Sequence, residues 1–240
     1  MLKNEREREI LRIIEQKGGF AKVRELCDAL FASESSIRRD LRVLGERGLI
    51  RRSHGGAERL LNPSGGVEFS ARGGRNVEAK RAMANFAKGL VKNGDIIFLD
   101  QSSSAFYLAA ALAENRSLTV VTNNVRILSL LADSPLRVYG SGGLLCPENR
   151  TCLIGGDAAA TFERVRADWL FFSAASLSED GTVSDLSREE VLVREAMLRN
   201  AKNRVLLCDS EKHGTRSAYK QCELRELSLW IDENGIHEGE

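Results

Sequence analysis

From residue 77 onward the chain alternates short apolar runs with segments of helical period, and few folds satisfy that alternation. The strand-like apolar runs fall at residues 96–99, 118–121, 137–139, 169–172, 205–208 and 227–231, and those at 96–99, 169–172 and 205–208 are apolar throughout. Helical patterns occupy 78–91, 104–113, 125–131, 157–163 and 188–201. A continuous apolar run of about four residues, with no polar alternation, belongs to a strand buried on both faces. Such strands need helices above and below them. The expected body is therefore an α/β domain built on a mostly parallel sheet.

The first sixty residues follow a different pattern. An amphipathic helix carries Ile10, Leu11, Ile13 and Ile14 and stops at Gly18-Gly19. A short extended piece at 20–23 leads to a second helix with Leu26, Ala29 and Leu30 on one side. Ser33 then opens a third helix as its N-cap, with Ile37, Leu41 and Leu44 forming an inward stripe and Gly48 ending it. Residues 49–52 and 57–60 read as two strands around the hairpin 53–56. Residues 61–76 (LNPSGGVEFSARGGRN) are rich in Gly, Ser, Asn and Pro and read as a linker. The expected organisation is a winged helix-turn-helix at 1–60, a linker at 61–76 and an α/β sensor domain at 77–240.

Charge separates the same two parts. Residues 1–59 hold 14 Lys/Arg and 10 Asp/Glu, while the remainder holds 21 and 24. A basic head on a mildly acidic body suits a nucleic-acid-binding module. A helix fits the major groove and reads base edges from its N-terminal turns, so it needs short polar groups there with cations beside them. Ser33, Ser35, Ser36, Arg38, Arg39 and Arg42 supply that set. Arg51, Arg52 and His54 place further donors on the hairpin, where the planar guanidinium fork suits phosphate oxygens.

The run Ser33–Leu41 (SESSIRRDL), followed by Leu44, Gly48-Leu49-Ile50-Arg51 and His54-Gly55-Gly56-Ala57, resembles the DNA-binding signature of the DeoR family of bacterial sugar-metabolism regulators. Ser36 stands where that family has threonine, which keeps the hydroxyl. The resemblance extends through the body at residues 99–104, 121–124, 142–143, 180–182, 193–197 and 209–214. It implies a sensor similar in fold to ribose-5-phosphate isomerase that binds a phosphorylated sugar or sugar-derived metabolite. It also implies a duplex DNA operator, a repressor role in carbohydrate metabolism, and a homodimer or homotetramer.

Ligands of open α/β sheets sit beyond the carboxyl ends of the strands. Those ends are rich here in small hydrogen-bonding residues, and three serines open a helix whose N–H groups can receive an anion. Carried over by position, the ligand-site candidates are Asp100, Ser102, Ser103, Ser104, Thr122, Asn123, Gly142, Gly143, Arg194, Asp209 and Lys212. Three departures from the family stand out. Ser102 replaces a glycine, Arg194 replaces a lysine, and Ser173-Ala174-Ala175-Ser176 replaces a Gly-Ala-Asp-Gly-like run.

Other functions find less support. No apolar run approaches the roughly 20 residues a bilayer span requires, and the N-terminus lacks a secretory apolar region, so a cytoplasmic, membrane-free protein is expected. The three histidines are scattered and no CxxC pair occurs, so neither a metal site nor a cofactor is expected. The five cysteines read as reduced and buried, although Cys146 and Cys152 share one loop and leave a redox-sensing regulator as an alternative. A sugar-phosphate isomerase-like enzyme is the other alternative. It needs a positioned base, and residues 173–176 carry no carboxylate, so no catalytic residue is assigned.

Overall fold

The computed structural model describes residues 3–17, 20–46, 50–53, 55–59, 69–115 and 117–239. They form two compact units that divide between Asn62 and Pro63.

In the first unit, α1 (Lys3–Gln16), α2 (Val23–Leu30) and α3 (Glu34–Glu46) accompany three strands, β1 (Phe20–Lys22), β2 (Ile50–Ser53) and β3 (Gly56–Arg59). The strands make one antiparallel sheet in the order β1-β3-β2. Ile10, Ile14, Leu26, Ile37, Leu41, Leu44 and Ile50 are fully or almost fully buried at its core. Burying each such side chain stabilises the unit by about 1.5–3 kcal/mol. Gly56 has a packing reason: a β-carbon there would lie 2.6 Å from the Ala21 carbonyl oxygen and from the Phe20 ring. The sheet could not close around any larger residue.

The second unit begins with α4 (Phe69–Gly74) and α5 (Val77–Lys88), followed by β4 (Ile96–Leu99), α6 (Ser103–Leu112), β5 (Thr119–Thr122), α7 (Val125–Leu131) and β6 (Arg137–Gly140). A small hairpin, β7 (Leu144–Leu145) with β8 (Leu153–Ile154), leads to α8 (Gly156–Glu163) and β9 (Ala167–Phe172). Then come β10 (Ser176–Leu177), β11 (Thr182–Asp185), α9 (Arg188–Asn200), β12 (Ala201–Leu207), β13 (Tyr219–Glu223), β14 (Leu229–Ile231) and β15 (Ile236–Glu238). The main sheet runs β15-β14-β12-β9-β4-β5-β6 and is parallel except for β15.

Both faces of this sheet are covered. Ile97 and Leu99 join the core under α5, α6 and α7, whereas Phe98 between them joins the core under α8 and α9. The chain starts in the middle at β4, moves outward through β5 and β6, then returns to place β9 on the other side of β4. That reversal makes a crevice at the carboxyl ends of β4 and β9.

Three features depart from the sequence reading. Residues 69–74, expected within the linker, form α4, and the Tyr107 hydroxyl on α6 donates to the Gly73 carbonyl at 3.0 Å. This tertiary contact outweighs a glycine-rich composition. A second sheet, β10-β11-β13, was not foreseen because its strands are very short or polar. The last strand, β15, adds an antiparallel edge beyond the run at 227–231. Among the described residues, no helix is long and apolar enough to cross a membrane.

Candidate functional sites

On α3 the burial pattern separates two stripes of identical spacing. Ile37, Asp40, Leu41 and Leu44 point inward, while Ser35, Arg38, Arg39 and Arg42 are exposed on the other side. Each set recurs at i, i+3, i+4 and i+7, the repeat of one helical face. At the start of α3 the Ser33 hydroxyl accepts from the Ser36 backbone N–H at 3.4 Å, donates to the Ser36 hydroxyl at 3.0 Å and lies 3.1 Å from the Ser35 hydroxyl. The Ser33 carbonyl accepts from the Ile37 N–H at 3.0 Å.

Arg38 reaches back one turn to Glu34, with Nη2 and Nε donating to the same carboxylate oxygen at 2.6 and 2.8 Å. Both partners are more than half exposed, so the pair contributes only about 0–1 kcal/mol. Asp40 is the inward exception on this helix. It is fully buried and receives Arg6 Nε at 2.6 Å, which ties α1 to α3 and holds Arg6 above its ordinary pKa.

Arg51 and Arg52 lie on β2, the strand paired with β3, and His54 lies outside the described residues. Phe31, absent from the sequence candidates, stands 97% exposed at the turn into α3 with φ 48°. Its position after Leu30 makes it read as core from hydrophobicity alone.

In the body, Asp100 follows β4 at the crevice and is completely buried. Its carboxylate accepts from the Ser102 N–H at 3.0 Å, the Ser173 N–H at 3.3 Å and Arg194 Nε at 3.1 Å. Burial raises the Asp100 carboxyl above its ordinary pKa, and Arg194 and the Ser102 and Ser173 contacts oppose that rise. Arg194 Nη1 also donates to Asp185 at 3.0 Å and Gln221 at 2.8 Å. Burial acts to lower the Arg194 pKa, but Asp185, Asp100 and Glu190 outweigh it and keep the guanidinium charged. Arg194 is thus fully committed inside the protein, where it clamps β4, β11 and β13 to α9. That is a different task from the ligand contact expected of it.

A second group meets at Lys212. Its ammonium donates to the Ser173 hydroxyl at 2.9 Å and lies 3.6 Å from Asp209, which accepts from Asn76 at 2.8 Å. Since the Ser173 N–H binds Asp100, both groups form one network across the switch point. Lys80 adds an unforeseen cation. It is 4% exposed, its ammonium donates to the Arg72 and Arg75 carbonyls, and burial and nearby Lys212 lower its pKa to about 8. A lysine on a helix with charged neighbours gives no hint in sequence of being buried.

The serines at 102–104 divide their work. The Ser102 hydroxyl caps α6 by accepting from the Ala105 N–H at 3.0 Å. Ser103 is buried, and the buried Ser104 hydroxyl has no hydrogen-bond partner among the described residues. Asn123 Oδ1 and the Ser141 hydroxyl, at the carboxyl ends of β5 and β6, are likewise buried without partners among the described residues. Buried polar groups are almost always paired, so these three atoms at the carboxyl ends of neighbouring strands make this edge the candidate site for a polar ligand.

Thr122 Oγ1 accepts from the Asn124 N–H at 3.0 Å. Asn123 Nδ2 donates to the Leu153 carbonyl at 3.1 Å and Gln101 Oε1 at 3.4 Å, and Gln101 Nε2 donates to Glu190 at 2.9 Å. Gly142 N–H donates to the Thr161 hydroxyl on α8 at 3.5 Å. At Gly143, φ is 111° and a β-carbon would meet the Ile154 carbonyl oxygen at 2.4 Å, so close backbone approach demands glycine there.

A cleft of about 330 Å³ lies beside this network and includes Asn76, Ser210 and Asp209. Glu78, Glu211 and Glu233 also line it. That acidic lining repels phosphate, so the orphaned sheet edge is the better anion candidate.

The chain matches two family models, the DeoR-like helix-turn-helix domain over residues 6–61 and the DeoR C terminal sensor domain over 75–234. It is 31% identical to the HTH-type transcriptional regulator GlpR of Haloferax volcanii, covering 98% of this chain and 92% of that one. It is 33% identical to the HTH-type transcriptional regulator GolR of Listeria innocua, covering 97% and 91%. It is 29% identical to the glycerol-3-phosphate regulon repressor of Escherichia coli, covering 89% and 84%. Among solved structures, ribose 5-phosphate isomerase A of Methanocaldococcus jannaschii aligns with a TM-score of 0.42 and 19% identity, covering 57% of this chain and 55% of that one.

Proposed function

This chain belongs to the DeoR family of transcriptional regulators, and from that premise we propose that it represses carbohydrate genes under control of a phosphorylated sugar or sugar-derived metabolite. In this reading α3 enters the major groove of an operator. Ser33, Ser35 and Ser36 meet the duplex at the first turn, Arg38, Arg39 and Arg42 follow along the same helix, and Arg51, Arg52 and His54 approach from the hairpin. The observation that carries it is the outward stripe of Ser35, Arg38, Arg39 and Arg42, back to back with the buried one. The chain works as a homodimer or homotetramer on a symmetric site, because two-fold operators match two copies of a head. Residues 1–60 are the DNA-binding domain and the α/β domain from residue 77 is the sensor.

The effector's phosphate lies at the N-terminus of α6 against Ser103 and Ser104, with Lys212 as counter-charge. Its hydroxyls face Asp100, Asn123 and Asp209. Ser102 and Thr122 shape these turns, Gly142 and Gly143 border them, and Arg194 holds Asp100 in place. The body binds its ligand without turning it over. Its relatives are named as regulators, and residues 173–176 at the end of β9 carry no carboxylate to act as base.

The test is a thermal shift of the full chain with glycerol 3-phosphate and a panel of hexose and pentose phosphates. A ligand at one hundred times its Kd adds about 2.7 kcal/mol to native stability. Lys212→Ala should abolish the shift while operator affinity persists. A panel without any shift, or a full response in the variant, would refute the site.

A further inference from the structure

One cluster takes no part in the proposed regulator mechanism. Cys146 follows β7 and Cys152 precedes β8, directly opposite each other in the hairpin, and the Cys146 N–H donates to the Cys152 carbonyl at 2.9 Å. Both thiols are buried, and each is free. Glu190 from the first turn of α9 reaches the same spot. The two sulfurs and a Glu190 carboxylate oxygen all lie within 4.8 Å of one another.

We propose that Cys146, Cys152 and Glu190 form a binding site for a thiophilic divalent ion of the zinc type. Ligand chemistry and spacing agree on this. Zinc takes sulfur at about 2.3 Å and carboxylate oxygen at about 2.0–2.2 Å, which sets sulfur and oxygen about 3.5 Å apart in a tetrahedral site. The Cys152 sulfur lies 3.7 Å from Glu190 Oε1. Three protein ligands leave the fourth tetrahedral position to water.

The carboxylate is also pre-aimed. Asn149 Nδ2 donates to Oε1 at 2.8 Å and Gln101 Nε2 donates to Oε2 at 2.9 Å, which leaves one lone pair of Oε1 toward the sulfurs. Outer hydrogen bonds of this kind orient metal ligands. Glu190 is 6% exposed, and its hydrogen-bond partners among the described residues are neutral: Gln101, Asn149 and Cys152. Arg194 already lends Glu190 a favourable charge, and an ion bound directly to the carboxylate would further offset the cost of burying it.

Ion binding at the two thiols balances without an oxidant. Two S–H bonds give way to two metal–sulfur bonds, the protons pass to solvent, and no electron is transferred. Because Gln101 bridges Glu190 and Asn123, an ion there would also stiffen the β4 and β5 carboxyl ends.

The test is a Co²⁺ titration of the reduced, chelator-treated full chain. Saturation at a single equivalent is expected, with a near-ultraviolet sulfur-to-cobalt charge-transfer band that Zn²⁺ bleaches. Zn²⁺ should also raise the melting temperature. The band should vanish in a Cys146→Ser/Cys152→Ser variant and persist in Cys208→Ser and Cys222→Ser controls. Should the double variant fold poorly, Cys152→Ser alone should still lose the band or shift it to single-thiolate intensity. Absence of any charge-transfer band in the reduced wild type, or its survival without both thiols, would overturn the site.

Discussion

Replacing Arg194 with methionine isolates what holds the crevice together. The side chain is 1% exposed and serves Asp100, which is fully buried, Asp185, which is 13% exposed, and Gln221. Methionine keeps much of the volume but strands two carboxylates. Removing one partner of a buried ion pair costs about 3–5 kcal/mol, chiefly because the other charge remains unpaired. Both tryptophans, Trp169 and Trp230, lie in the body, so tryptophan fluorescence during urea unfolding reports that unit alone. With a urea m-value of about 2–3 kcal/mol per molar, the midpoint should fall by about 1–2 M. Adding Asp100→Asn should recover part of the loss. The deficit should also shrink at acidic pH. Burial already raises the folded pKa of Asp100, so between the unfolded and folded values the native state binds the extra proton, and stability falls as pH rises through that window. A loss below about 1 kcal/mol, or one unaffected by Asp100→Asn, would refute the clamp.

Lys80, lowered to about 8 from 10.5, binds fewer protons folded than unfolded between those values, so wild-type stability relative to Lys80→Met should rise as pH climbs from about 8; urea midpoints at two pH values check this. Asp40→Asn should destabilise the head by about 2–3 kcal/mol, less than a fully buried pair because Arg6 stays partly in water, and hydrogen exchange of α1 and α3 should quicken together. Ser102→Ala removes the α6 cap and should cost about 1 kcal/mol in the same urea assay.

Much of the fold was legible because it is written in local period. Residues 96–99 and 169–172 are apolar without alternation, and both became central parallel strands. The inward Ile37, Leu41 and Leu44 were equally plain, and their spacing implied the outward arginines. Long-range pairings were hidden. The partners of Arg194 come from residues 100, 185 and 221, on three separate elements or turns, so no spacing announces that its charge is consumed inside. Asp40 looked like one more acid on a charged helix, because Arg6 lies 34 residues away. Helix α4 escaped notice since its stability comes from docking on Tyr107 rather than from propensity. Lys80 and Glu190 are buried charges, and sequence alone signals neither burial nor the carbonyls and amides that make it tolerable.

The central claim is that α3 lies in a groove of duplex DNA. Its direct test is the affinity of the full chain for a duplex selected from a random pool, measured by anisotropy across a series of salt concentrations, with Arg38, Arg39 and Arg42 changed to alanine singly and together. Each lost phosphate contact should reduce the slope of log K against log salt by about 0.9, and each lost base contact should weaken the selected duplex by about 1–3 kcal/mol with the slope preserved. Arg39→Ala should weaken binding more than Arg38→Ala, since Arg38 must first leave Glu34. A triple variant with wild-type affinity and wild-type salt dependence would contradict the account.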